Sequence, residues 1–287
     1  MKYVIEVNNL KKSFPSFRLD IDNLKIPSGE IIGLIGENGA GKTTLIKLLL
    51  NIIKKDNGEI KIFRQDLEKD EILIKEDIGV VLDNSFFPEN LTPKNINTIM
   101  SNVYKNWDSH LFYEYLKKFN ISESQTLKTM SKGMRKKTEI ATSLAHHPKL
   151  LILDEATSGL DPIARSDVLD ILLDFIQDDE HTVILSTHIT SDLEHIADDI
   201  IFIHDGHVVL NTKRDDITDS YGIVKCNEEE FLSMDKKEIL SFRKNKYHYE
   251  VLVSNRNKIK KKYKDYVIDK ATIEDVMLLM IKGGEVK

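Results

Sequence analysis

At 287 residues, 41% of them hydrophobic and 31% charged, the chain is long enough for one large domain with an appendage or for two modest domains, and its composition is that of a soluble globular protein. A formal net charge of −6 excludes the domain-wide basic signature of a nucleic-acid binder, so any basic patch must be local. Cys226 is the only cysteine, which excludes an intrachain disulfide and favours a reducing, cytoplasmic compartment, and no apolar run is long enough to span a bilayer. The first candidate strands, "YVIEVNNL" and "FRLDIDNLKI", alternate apolar and polar residues as partly exposed strands do. After a turn at "PSGE", "IIGLIG" has the character of a buried strand and runs into "ENGAGKTTLIKLLLNII", where the glycines stop and apolar residues recur at helical spacing. "DNGEIKIF", a polar helix and a second buried strand at "IGVVL" follow, and residues from about 91 to 147 read as mainly helical. Strand character returns at "LLILDE" and "TVILSTH", and "IIFIHDGHVVL" reads as a hairpin around Asp205 and Gly206. Strands separated by helices predict a three-layer α/β core with a partly parallel sheet.

The strongest chemical signal lies between the strand at "IIGLIG" and its helix. Gly36, Glu37, Asn38, Gly39, Ala40, Gly41, Lys42 and Thr43 spell a full G-x-x-x-x-G-K-[ST] phosphate loop, with Thr44 next in line as a further candidate contact. Glycines let the backbone wrap close to phosphate oxygens, and the helix start presents free N–H groups. Lys42 neutralises terminal phosphate charge, and the Thr43 hydroxyl suits a Mg²⁺ shell. Phosphoryl transfer is mostly placement and electrostatics, so such a loop calls for a metal-orienting carboxylate and a group that activates water. Asp154, at the end of a buried-type strand, suits the first task and adjacent Glu155 suits the second as general base. His188 closes another apolar strand, where an imidazole would meet the γ-phosphate and attacking water, while His181, His195, His204 and His207 read as solvated or core histidines. In "MSKGMRKK", Ser131 and Gly133 suit a helix start that receives an anion, with Lys132, Arg135, Lys136 and Lys137 as a source of positive potential. A polar cap followed by a solvated basic face is the alternative reading of the same octapeptide.

The order of these motifs resembles the ATP-binding cassette (ABC) ATPases over about residues 3–215: Walker A at 36–43, "MSKGM" at 130–134, Walker B ending at Asp154 and Glu155, "SGLD" at 158–161, and His188. In that family the signature sequence, usually "LSGGQ" and matched here by "MSKGM", binds the γ-phosphate of ATP held by the other cassette of a head-to-tail dimer. The resemblance therefore implies that Ser131 and Gly133 complete a neighbour's site. Phe14 in "LKKSF" falls where an aromatic usually stacks on adenine, with Phe17 as the other candidate stacker. Asp161 matches the loop that crosses the dimer interface. Asp83 falls where most cassettes carry a glutamine touching Mg²⁺ and water; it keeps a ligand oxygen but is one methylene shorter and lacks the amide donor. Lys132 and Met134 depart from the common signature, yet "SKGM" is similar to the variant of cassettes paired with separately encoded exporter permeases. Lys132 itself is open between phosphate attraction and a solvent-facing position. The "TEVGE" motif of many fused exporters is absent from "SESQTLKT".

What the resemblance implies is an α/β fold with a three-layer P-loop core, an antiparallel β subdomain and a helical signature subdomain at about 91–147, with a small α+β C-terminal extension. Residues 1–218 would form the nucleotide-binding domain and 219–287 an accessory region. The implied activity is ATP hydrolysis with ATP and Mg²⁺, driving a separate membrane permease, in the export direction. The implied partners are that permease and a second cassette, a homodimer or a heterodimer, with no nucleic acid. The chain would be cytoplasmic and held at the inner face of the cell membrane through the permease. A soluble cassette serving a non-transport assembly is the alternative. In the extension, "RNKIKKKYKDY" reads as a solvated helical face and "IEDVMLLMI" as packing or interface material.

Overall fold

The computed structural model describes residues 2–83 and 87–284. Strands β1 (Tyr3–Phe14) and β2 (Phe17–Pro27) form a long antiparallel hairpin that turns at Pro15 and Ser16. β3 (Ile31–Ile35) is buried along its whole length and feeds the glycine loop into α1 (Lys42–Leu49). β4 (Asn57–Ile62) pairs with β1, and the two-residue β5 (Gln65–Asp66) completes an antiparallel sheet in the order β2-β1-β4-β5. A short helix, α2 (Glu71–Glu76), leads to β6 (Ile78–Val81), which returns to the central layer.

The helical arm follows. Each of its three α-helices among the described residues begins at a side-chain cap that takes up an otherwise free backbone N–H. Thr92 and Asn95 cap α3 (Pro93–Met100) reciprocally, Asp108 caps α4 (Ser109–Lys118), and Ser131 caps α5 (Lys132–Leu144). β7 (Leu150–Asp154), α6 (Pro162–Phe175), β8 (Thr182–Ser186), α7 (Thr190–Ile196), β9 (Asp199–His204) and β10 (His207–Lys213) then close the core. The central sheet runs β10-β9-β3-β8-β7-β6, parallel from β9 to β6, with β10 antiparallel after the expected turn at Asp205 and Gly206.

The sheet separates two apolar cores, because successive residues of a strand face opposite sides. Ile32, Leu34, Ile152 and Ile184 join the β1–β2 hairpin and α1 on one side, whereas Ile31, Leu151, Leu153 and Val183 join α5, α6 and α7 on the other. The near-continuous apolar runs of β3, β7 and β8 are what a parallel sheet covered on both faces requires.

Beyond β10, β11 (Gly222–Cys226), α8 (Glu228–Ser233), β12 (Ser241–Lys244), β13 (Tyr249–Val253), α9 (Arg256–Lys262), β14 (Val267–Lys270) and α10 (Ile273–Lys282) build a second antiparallel sheet in the order β12-β13-β11-β14. It has a small core of its own around Val224, Val251 and Val253, with Cys226 buried inside it. Ile273, Val276 and Leu279 of α10 join the main core instead. Lys258 and Lys262 of α9 pair with Glu238, while Lys260 and Lys261 are exposed.

Candidate nucleotide site

The loop from Gly36 to Gly41 joins the end of β3 to the start of α1, and two of its glycines, Gly36 and Gly41, stand where a side chain would collide. A Cβ on Gly36 would lie 2.4 Å from Ile203 O on β9, and Gly41, at φ +117°, would bring one within 2.9 Å of Leu19 Cδ1 on β2. Lys42 opens α1 and is only 6% exposed. Its ammonium folds back to donate to Gly36 O at 2.7 Å and Glu37 O at 3.1 Å. Burial lowers the Lys42 pKa, against the opposing pull of Glu155, Asp154 and Glu37. The cation is thus held over a loop of backbone N–H groups, where an anion would offer it a charged acceptor.

Parallel pairing of β7 with β8 sets Asp154 opposite Ser186 at the strand ends. Asp154 is 1% exposed; its Oδ2 accepts from Thr43 Oγ1 at 2.8 Å, and its Oδ1 is buried without a partner among the described residues. A carboxylate oxygen left orphaned beside a threonine hydroxyl is a donor set that suits a hard divalent cation such as Mg²⁺. Glu155 leaves the strand at φ +52°, a left-handed conformation unusual for glutamate, while its N–H donates to Ser186 O at 2.9 Å. That turn directs its carboxylate to His188, whose Nδ1 lies 2.7 Å from Glu155 Oε2. With the imidazole proton on Nδ1, the ring donates to the carboxylate and leaves Nε2 open.

These groups surround a cavity of about 690 Å³. Phe14, Ser16 and Phe17 reach it from the β1–β2 turn, and Glu37, Asn38, Gly39, Gly41, Lys42, Thr43 and Thr44 from the phosphate loop and α1. Asp83, Glu155, Ser158 and His188 complete the lining. Phe14 and Phe17 are both present, their ring centroids 6.3 Å apart, so the two candidate stackers share one wall. Gly36, Ala40 and Asp154 are not in the lining, Ala40 and Asp154 being buried. Ser16 and Ser158 were not singled out from the sequence; Ser16 is marked there only by its adjacency to Phe17, and Ser158 only as the first residue of "SGLD".

Ser131, Gly133 and Asp161 stand apart from this cavity and close to one another. Ser131 accepts from Met134 N at 3.2 Å. A Cβ on Gly133 would lie 3.4 Å from Ala164 Cβ and 3.9 Å from both Asp161 Oδ2 and Ser131 Oγ. Asp161 caps α6, accepting from Ile163 N at 3.1 Å and Ala164 N at 3.0 Å, and the Ala164 N–H foremost holds its carboxyl below the usual aspartate range. The basic run does not act as one patch. Arg135 pairs with Glu89, Lys136 is buried against Glu139, and Lys137 pairs with Asp167. Lys132 is exposed, with its ammonium against Gly159.

The chain is similar to known proteins in sequence and in fold. The sequence family described as "ABC transporter" matches residues 19–158. The chain is 34% identical over 221 residues to the lantibiotic transport ATP-binding protein SrtF of Streptococcus pyogenes, covering 74% of this chain and 92% of that protein. It is 33% identical over 213 residues to the bacitracin transport ATP-binding protein BcrA of Bacillus licheniformis, covering 73% and 69% respectively. Among solved structures, one described as an ATP binding subunit of an ABC transporter superposes with a TM-score of 0.66 at 26% identity, covering 75% of this chain and 91% of the other. CbiO1 from Clostridium perfringens, part of the ABC transporter complex cbiONQ, superposes with a TM-score of 0.64 at 26% identity, covering 76% and 91%.

Proposed function

Because the chain belongs to the ABC transporter family and is an ATP-hydrolysing subunit, we propose that two copies of it close over two ATP molecules and drive a separate membrane permease in the export direction. The observation that carries this reading is the meeting, in one cavity, of the phosphate loop with the Glu155–His188 pair. In this reading Phe14, with Phe17 beside it, stacks on the adenine, and the loop from Gly36 to Thr44 receives the phosphates. Thr43 and Asp154 hold Mg²⁺, with Asp83 facing the same cavity; the ion, when bound with the nucleotide, neutralises charge on the terminal phosphates. Glu155 takes a proton from the attacking water, and His188 holds the carboxylate in place through Nδ1.

Ser131, Gly133 and Asp161 lie outside the chain's own cavity, which supports their serving the site of a second copy. ATP held between the two copies favours the closed pair, and cleavage removes the γ-phosphate that both faces grip. The chain then works at the cytoplasmic face of the membrane, through its permease. The names of SrtF and BcrA support a substrate of the lantibiotic or bacitracin kind. The test separates binding from turnover: Glu155→Gln is expected to bind a fluorescent ATP analogue as the wild type does and to lose about 10²-fold or more in kcat. Near-normal phosphate release would overturn the role of Glu155. Isolation from detergent-solubilised membranes is expected to bring down a multispanning protein, and a soluble scaffold in its place would overturn the transport reading.

A further inference from the structure

Within the basic run, Lys136 is 4% exposed, and its ammonium lies 2.8 Å from Leu82 O, 2.9 Å from Glu139 Oε2 and 3.5 Å from Asp83 O. The two carbonyls accept from the ammonium, Asp83 O at the limit of a hydrogen bond, and Glu139 supplies the opposite charge as an ion pair. The Glu139 side chain is itself 11% exposed, so the pair is buried together and the cation is not turned toward any phosphate. α5, the helix that begins at Ser131 and Gly133, therefore grips the backbone of the loop whose Asp83 lines the nucleotide cavity. Leu82 and Glu139 also line a second cavity of about 160 Å³ beside Tyr104 and His146, while Asp83, next in the chain, lines the nucleotide cavity. Stability alone does not account for it, because a buried ion pair contributes little more than apolar side chains of the same volume. What a charged, directional joint adds is a defined position for the Leu82–Asp83 peptide.

We propose that Lys136 is a positioning residue of the ATPase reaction: its ammonium locks the Leu82–Asp83 backbone to α5, so that Asp83 faces the nucleotide only while the helical arm holds this position. The inference rests on the reading that Asp83 serves the ATP site, and its test separates the two. Lys136→Met combined with Glu139→Gln removes both charges and leaves no buried charge unpaired. The expected result is a fold and melting temperature close to wild type, fluorescent-ATP binding and KM within about twofold, and kcat lower by about tenfold. In an Asp83→Ala chain the same double change is expected to lower kcat by less than about twofold further, since it then has nothing to position. Lys136→Arg keeps the charge on Glu139 but moves the donors, and is expected to cost about threefold in kcat, again only while Asp83 is present. It carries the test by itself if the double variant does not fold. Unchanged kcat, or losses that multiply fully in the Asp83→Ala chain, would overturn the positioning role. Asp83→Ala with wild-type kcat would overturn the reading of Asp83 and the role of Lys136 with it.

Discussion

His146 shows how much a single residue takes from neighbours that its own sequence position does not reveal. It is 2% exposed, its ring stacks on Tyr104 with centroids 3.9 Å apart, and Nε2 lies 3.1 Å from Ile78 O. Burial, ahead of every other influence, pushes its pKa below the ordinary value of 6.5; Glu76 and hydrogen bonds to Ile78 and Thr142 oppose the shift, and His147 adds to it. The folded protein therefore resists a proton that the unfolded chain accepts. Its contribution to stability is complete above the unfolded pKa and is lost as pH falls through the window between that value and the lower folded one. The melting temperature is expected to drop from about pH 7.5 to about pH 5.5, and to drop less in His146→Phe, which keeps a ring on Tyr104 and cannot protonate. Equal slopes in the two proteins would assign the acid sensitivity elsewhere. Thr43 and Asp154 were each legible as metal candidates because each sits at a marked end of a loop or strand; that the two side chains meet was not. Lys136 was not: a lysine in a run of cations carries no sign of burial, and the two carbonyls that accept from it lie 54 and 53 residues upstream.

At the scale of elements, α10 ties the C-terminal sheet to the nucleotide-binding core. Ile273, Val276 and Leu279 recur at helical spacing and are buried in the main core, and Ile273 N donates to Glu194 Oε1 on α7 at 3.0 Å. α7 follows His188 directly, so the extension packs against the helix that continues from the cavity. Leu279→Ala is expected to destabilise the protein by about 2–5 kcal/mol, the range for a buried leucine truncated in a close-packed core. Urea denaturation checks it, and a loss under about 1 kcal/mol would mean that the helix docks loosely. The apolar spacing of α10 was visible in "IEDVMLLMI", but its destination was not, because periodicity names a buried face without naming what buries it. β3, β7 and β8 were legible for the opposite reason: an unbroken apolar run flanked by turn residues has few places to go except a sheet covered on both sides. The same limit applied to the helical arm, whose caps at Thr92, Asp108 and Ser131 are local signals, while its packing against the core is not.

Over the whole molecule, the separation between the cavity and the Ser131–Gly133–Asp161 cluster poses a choice between two architectures that mixed chains tell apart. If each chain used its own Gly133, a lesion there and a lesion in Lys42 would each destroy the site of the chain that carries it. Mixing two such chains would then restore nothing. In a head-to-tail pair the outcome is different. Let one chain carry Lys42→Ala and its partner Gly133→Asp, which places bulk and negative charge where the neighbour's γ-phosphate belongs. One composite site of the mixed pair then holds both lesions, and the other joins an intact phosphate loop to an intact Ser131–Gly133 segment. Either variant alone is expected to be inactive, since every site of its homodimer is damaged. Equal mixing makes half of the pairs mixed, each with one sound site of two, so activity is expected to recover to about one quarter of wild type if the two sites fire independently. Phosphate release measured across mixing ratios is expected to peak at equal proportions. A flat line at the level of the single variants would mean that the two halves of the site do not meet between chains.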